Sequence, residues 1–121
     1  MIFKGNLISD SDKYQRFPET PGALAVSTAT ELTDYASFDV LTGFLIEENT
    51  IENCPWSGIY VRRGSGVVIR NNTLRNTNLA SNPSISGAMV IEQSRNLFLN
   101  DNIITRSPEI RTYATGIQIL R

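Results

Sequence analysis

The sequence predicts an all-β solenoid of about four coils, on three observations. The pattern apolar-x-apolar-x-x-Asn-x-apolar recurs in Phe44-Leu45-Ile46-Glu47-Glu48-Asn49-Thr50-Ile51, Val67-Val68-Ile69-Arg70-Asn71-Asn72-Thr73-Leu74 and Leu97-Phe98-Leu99-Asn100-Asp101-Asn102-Ile103-Ile104. Met1-Ile2-Phe3-Lys4-Gly5-Asn6-Leu7-Ile8 is a weaker copy. Between these copies lies a second motif, Gly58-Ile59-Tyr60-Val61, Gly87-Ala88-Met89-Val90 and Gly116-Ile117-Gln118-Ile119, spaced by 29 both times (87 − 58 and 116 − 87). Within each copy apolar and polar residues alternate with period two, the signal of a half-buried strand. Two interleaved strand motifs with insertions of variable length describe one coil wound repeatedly.

Composition narrows the function classes. Eleven Lys and Arg against 12 Asp and Glu give a net charge of −1, which argues against a nucleic-acid binder driven by phosphate attraction. No apolar run reaches the length of a membrane helix, and the opening residues lack the basic start and apolar stretch of a signal peptide. There is no histidine and one cysteine, Cys54. Imidazole catalysis, His-ligated zinc and an internal disulfide are therefore excluded. Cys54 reads as a small packing residue. Asn occurs 11 times although it suits neither helix nor strand interiors, so the fold uses it repeatedly at one kind of turn.

On the residues Val67-Val68-Ile69-Arg70-Asn71-Asn72-Thr73-Leu74-Arg75-Asn76 and their partner Gly58-Ile59-Tyr60-Val61, the sequence resembles the right-handed parallel β-helix family, the pectate-lyase-like solenoids. The resemblance covers residues 44–119 well and 1–43 loosely. A leucine-rich repeat shares Leu-x-Leu-x-x-Asn. It would need a helical segment after each Asn and one strand per repeat, whereas here a second strand motif follows every time.

The resemblance implies the order of elements. The Gly-Ile-x-Val segment is the first strand of a coil, with Ala23-Leu24-Ala25-Val26 as its degenerate early member. Val-Val-Ile-Arg is the second strand, and Thr73-Leu74 with its equivalents the third. Asn6, Asn49, Asn72 and Asn102 would stack inside a tight turn, bonding one another and the turn backbone and adopting its left-handed conformation. Residues 1–121 form a single domain with long loops around 9–22 and 27–43. Outward columns are expected at Leu45, Val68 and Phe98, at Lys4, Glu47, Arg70 and Asn100, and at Glu52 and Arg75. The chain opens within a coil and ends after a first strand, with no capping helix in view. A piece of a longer β-helix is expected, with end-to-end or lateral self-association.

The resemblance also implies a carbohydrate-active protein. The leading expectation is part of a polysaccharide lyase or glycoside hydrolase holding an extended polysaccharide along the first-strand face. The alternative is a non-catalytic adhesive or shaft-like module. A cell-surface or extracellular setting is expected for the full-length protein. Alternation in the first strand sends Ile59 and Val61 inward and Tyr60 and Arg62 outward. The Gly-led alignment then sends Ala88 and Val90 inward and Met89 outward, with Gln118 continuing the outward column. The expected substrate-binding residues are Tyr60, Arg62, Arg63, Met89, Glu92, Gln118 and Trp56. Tyr and Trp offer ring faces to a sugar, and Arg a bidentate grip on a uronate carboxylate. Catalytic residues are not assigned, and no cofactor is expected. Asp10-Ser11-Asp12, Asp34 and Asp39 could hold Ca²⁺, but their spacing matches no calcium motif. Asn71-Asn72-Thr73 matches a glycosylation sequon, as the repeat itself would produce.

Overall fold

The computed structural model describes residues 1–10, 22–26, 41–79, 87–108 and 115–120. Every regular element among them is a strand, and the strands stack in three four-stranded sheets. The first-strand sheet holds β3 (Gly22–Val26), β6 (Ser57–Arg62), β9 (Gly87–Glu92) and β12 (Thr115–Leu120) in that order. The second-strand sheet holds β1 (Ile2–Lys4), β4 (Leu41–Glu47), β7 (Gly64–Arg70) and β10 (Arg95–Asn100). The third holds β2 (Leu7–Ser9), β5 (Thr50–Glu52), β8 (Thr73–Arg75) and β11 (Ile103–Thr105). All nine strand pairings are parallel, and each joins strands one coil apart. The molecule is a parallel β-helix of four levels. β2 runs to Ser9 and β4 begins at Leu41, and residues 11–21 and 27–40 of the expected loops lie outside the described residues. Asp12, Asp34 and Asp39 lie outside the described residues.

Stacking like on like builds the core. Phe3, Ile46, Ile69 and Leu99 form one inward column, and Phe44, Val67 and Leu97 another. The third-strand sheet adds Ile8, Ile51, Leu74 and Ile104. In the middle two levels these side chains are sealed from water on both sides, and there burial contributes most. The outward columns follow the expected register, with Ile2, Leu45, Val68 and Phe98 aligned. Beside them Glu47 sits between two cations, 3.0 Å from Lys4 Nζ and 2.7 Å from Arg70 Nε.

The asparagine ladder closes the turn between the second and third strands. The N–H and Nδ2 of Asn6 donate to Asn49 Oδ1 at 3.0 and 3.1 Å. Asn49 does the same to Asn72 Oδ1, and Asn72 to Asn102 Oδ1, at 3.0–3.1 Å. The other Nδ2 hydrogen reaches a strand carbonyl on the preceding level: Phe3 for Asn49, Ile46 for Asn72 and Ile69 for Asn102. Backbone carbonyls of Asn6, Asn49 and Asn72 accept from Thr50, Thr73 and Ile103 at 2.8 Å. An interior polar column is thus paired at every step. The left-handed backbone belongs to the residue before the ladder Asn, not to the Asn as expected: Gly5, Glu48, Asn71 and Asp101 have φ of 67°, 56°, 55° and 52°. That position faces solvent, so any short polar residue or glycine can occupy it, while the ladder position requires the amide.

The first-strand register corrects the Gly-led alignment by one residue. Ser57 is level with Gly87, and Ile59, Tyr60 and Val61 pair with Met89, Val90 and Ile91. On the next level Met89 and Val90 pair with Ile117 and Gln118. The outward column is therefore Ala25, Tyr60, Val90 and Gln118. Met89 instead joins Leu24, Ile59 and Ile117 on the inward side, 0% exposed in the core. A one-residue slip exchanges the two faces of a strand. The glycines misled because they do not occupy one site. A Cβ on Gly58 would stand 2.9 Å from Leu74 Cδ2 in the interior, and its true counterpart is Ala88.

Candidate functional site

The turns joining first to second strands form one long corner of the solenoid. Arg63 and Gln93 take its left-handed position, with φ of 56° and 48°. Their amides donate to the carbonyls one level on, Arg63 to Glu92 and Gln93 to Leu120, at 3.0 and 2.9 Å. Ser94 Oγ then fills the role of a backbone group. It accepts from Gly64 N–H and donates to the Glu92 carbonyl, both at 2.9 Å. Side chains stack along the same corner. Arg63 Nε meets Gln93 Oε1 at 3.3 Å, and Asn96 Nδ2 meets Ser65 Oγ at 3.3 Å. Arg95, exposed, is level with Ser65.

Inboard of this corner three polar groups close on one another. The Tyr60 hydroxyl donates to Glu92 Oε2 at 2.5 Å. Arg62 Nε stands 3.8 Å from Glu92 Oε1. Burial, and then the hydrogen bond to the Glu92 carboxylate, push the Tyr60 phenol well above its usual range. Tyr60 is 2% exposed and Val90 0%, so the centre of the first-strand face is not an open platform for a sugar ring.

The expected site residues therefore separate into three groups. Arg62, Arg63 and Glu92 come together at the corner. Tyr60 supports them from behind as an anchor for Glu92, and Met89 is in the core. Gln118 remains on the outward column at the last level, half-buried. Trp56 lies at the opposite border, where its carbonyl accepts from Asn78 N–H at 2.7 Å. The span of β6 separates it from Arg62 by about 20 Å. Its indole Nε1 is buried without a hydrogen-bond partner. Sequence reasoning missed Gln93, Arg95 and Asn96. The signal was available in the offset of 30 that stacks Arg63 on Gln93 and Ser65 on Arg95, had the register been right.

Glu92 pairs with Arg62, and the side chains of Arg63, Gln93, Arg95 and Asn96 line the outer edge of the corner. Among the described residues no group of three or more metal-ligating side chains gathers. No described helix is long and apolar enough to cross a membrane. No curated protein and no solved structure matches the chain. The family described as "right handed beta helix region" matches residues 2–121. With three parallel sheets, four levels and a continuous amide ladder, the chain belongs to the right-handed β-helix family.

Proposed function

We propose that this β-helix is a carbohydrate-active module that holds an extended acidic glycan along the corner between its first and second strands. The observation that supports the reading is the row of polar donor side chains along that corner, Arg63 with Gln93 on the next level and Arg95 with Asn96 beside it. A guanidinium grips a uronate carboxylate through two parallel N–H donors, and a row of such groups at the coil repeat suits a polymer better than a small ligand. Arg62 and Glu92 shape the wall behind them. Glu92 is already bonded by Tyr60 and Arg62, so the described residues support binding rather than bond cleavage.

The test is binding of the whole chain to a panel of acidic and neutral polysaccharides. Acidic polymers should bind, with affinity falling as salt rises. Arg63→Ala combined with Arg95→Ala should weaken that binding at least about tenfold, since charge-assisted bonds of about 1.5–3 kcal/mol are lost. Equal affinity of parent and double variant would remove the corner from consideration. The second reading is a non-catalytic shaft or adhesive module. The closed Tyr60–Glu92–Arg62 group and the buried Val90 favour it, and it predicts that no polysaccharide on the panel binds.

A further inference from the structure

We infer that a glycine-floored recess on the second-strand face seats a pyranose ring of the bound polymer, its carbon face against Leu45 and Val68; this rests on the glycan reading above and extends it to a second wall. Partway along β4, β7 and β10 the chain takes a left-handed step, at Gly43, Gly66 and Asn96, with φ of 69°, 68° and 54°. The register sets the three level with one another, between the row of Thr42, Ser65 and Arg95 and the row of Phe44, Val67 and Leu97. All three are exposed. The backbone step alone does not call for glycine. Ten residues with side chains take a positive φ among the described residues, and Asn96 does so at this same step. Crowding does not call for it either. A Cβ on Gly43 would meet nothing within 4 Å, and one on Gly66 only Gly43 N, at 3.9 Å. At Gly22, Gly58, Gly64 and Gly87, by contrast, a Cβ would stand under 3.0 Å from a neighbour. The two missing side chains lower the surface over two levels, and glycine so placed lets a ligand approach the backbone closely.

The recess has unlike sides. One residue before the glycines stand two hydroxyl-bearing residues, Thr42, exposed, and Ser65, half-buried. Two residues beyond them runs the outward column of Leu45, Val68 and Phe98, and Phe98 is 62% exposed. Asn96 closes one end, its Nδ2 donating back to Ser65 Oγ at 3.3 Å. A rise of about 3.3 Å per residue puts the apolar column about 7 Å beyond the glycines, and the two levels lie about 4.8 Å apart. A pyranose matches this shape and chemistry. The C–H bonds on one face of the ring lie against Leu45 and Val68, and hydroxyls at its rim meet those of Thr42 and Ser65. Apolar lining with a few placed polar groups is the usual make-up of a small-ligand site. The recess adjoins the corner, because Ser65 is level with Arg95 and bonded to Asn96, so one polymer chain spans both. Phe98, one level on, offers the aromatic face that the buried Tyr60 does not.

Asn96 supplies the test, because it shows a side chain that the left-handed step tolerates. Gly66→Asn copies that level onto the one before and fills the recess, with Thr42 within reach of its amide as Ser65 is of Asn96. Gly43→Asn is the second variant if Gly66→Asn loses strand circular dichroism, and Phe98→Ala decides if neither folds. Binding of the full chain to polygalacturonate and to alginate is measured by titration calorimetry, beside the Arg63→Ala, Arg95→Ala double variant. Gly66→Asn should weaken binding about tenfold or more with circular dichroism unchanged, and Phe98→Ala should weaken it in the same direction. Parent affinity in the folded glycine variants, with binding lost in the arginine variant, would overturn the recess and leave the corner standing. Binding lost in the glycine variants and kept in the arginine variant would support the recess and remove the corner. A parent that binds neither polymer would overturn both.

Discussion

Replacing Asn72 by Leu should be among the most damaging single changes in the molecule. Asn72 is 0% exposed, and its amide makes four side-chain bonds. It donates to the Ile46 carbonyl and Asn102 Oδ1, and it accepts from the N–H and Nδ2 of Asn49. Leu removes all four. Three buried groups then lose a partner: the Asn49 N–H, one Asn49 Nδ2 hydrogen and the Ile46 carbonyl. Each costs about 1–3 kcal/mol, and the added apolar burial returns about 1.5 kcal/mol, so the net loss is about 1.5–7.5 kcal/mol. Asn71→Ser next door should cost under about 1 kcal/mol. Its side chain faces solvent, and only its tolerance of a φ of 55° is at stake. With a urea slope of about 1.5 kcal/mol/M, the Asn72→Leu midpoint should fall by about 1–5 M and that of Asn71→Ser by under about 0.7 M. The ladder also predicts a gradient. Asn102→Leu loses three side-chain bonds and Asn6→Leu two, so they should be progressively milder. Equal midpoints for Asn72→Leu and Asn71→Ser, with unchanged slopes, would refute the ladder as a source of stability.

Three further outcomes follow from named groups. Hydrogen bonds and charge from Arg70 and then Lys4 hold the Glu47 carboxyl below its usual range. A depressed pKa contributes stability present above the unfolded value of about 4.3 and lost as pH falls through the folded one, so Glu47→Gln should flatten the loss of stability below about pH 5. A slope identical to the parent's would count against that pairing. Tyr60 is raised, so its contribution is present below about pH 10 and lost as pH climbs beyond it. Tyr60→Phe should reduce the alkaline fall in melting temperature, and the Tyr60 phenol should resist ionisation in the folded state. Met89→Ala should cost about 2–5 kcal/mol as a core truncation, and Arg95→Ala on the exposed surface under about 0.5 kcal/mol. Similar costs for the two would return Met89 to the outer face.

The fold was legible because a solenoid writes its structure into the chain once per coil. Asn49, Asn72 and Asn102 recur where the amide is indispensable, and the apolar residues three before and five before them recur with the inward columns. The first strands were read one residue out of register for an equally physical reason. Gly58 is a glycine because Leu74 crowds it from inside, whereas Gly87 lies one position earlier on its strand, 2.6 Å from the Met89 carbonyl at the point where a Cβ would sit. Two steric demands produced one apparent motif. The ladder, whose chemistry has one solution, kept register; glycine, which answers many kinds of crowding, did not. The candidate site suffered accordingly. Arg62, Arg63 and Glu92 lie at the end of their strands beside the turn, but the slip brought Met89 to the surface. The burial of Tyr60 depends on packing across levels, which alternation along one strand does not encode.

Register therefore carries the account, from the core to the corner, and disulfide trapping measures it directly. In a Cys54→Ala background, Arg62→Cys with Glu92→Cys forms a pair on adjacent parallel strands, whose spacing of about 4.8 Å lies within disulfide reach. Arg62→Cys with Ile91→Cys is the pair that the Gly-led alignment would bring level, and it has side chains on opposite faces. Mild oxidation should cross-link the first pair rapidly with strand circular dichroism unchanged and leave the second as free thiols. Rapid cross-linking of the second pair, with the first left reduced, would contradict the register on which the site rests.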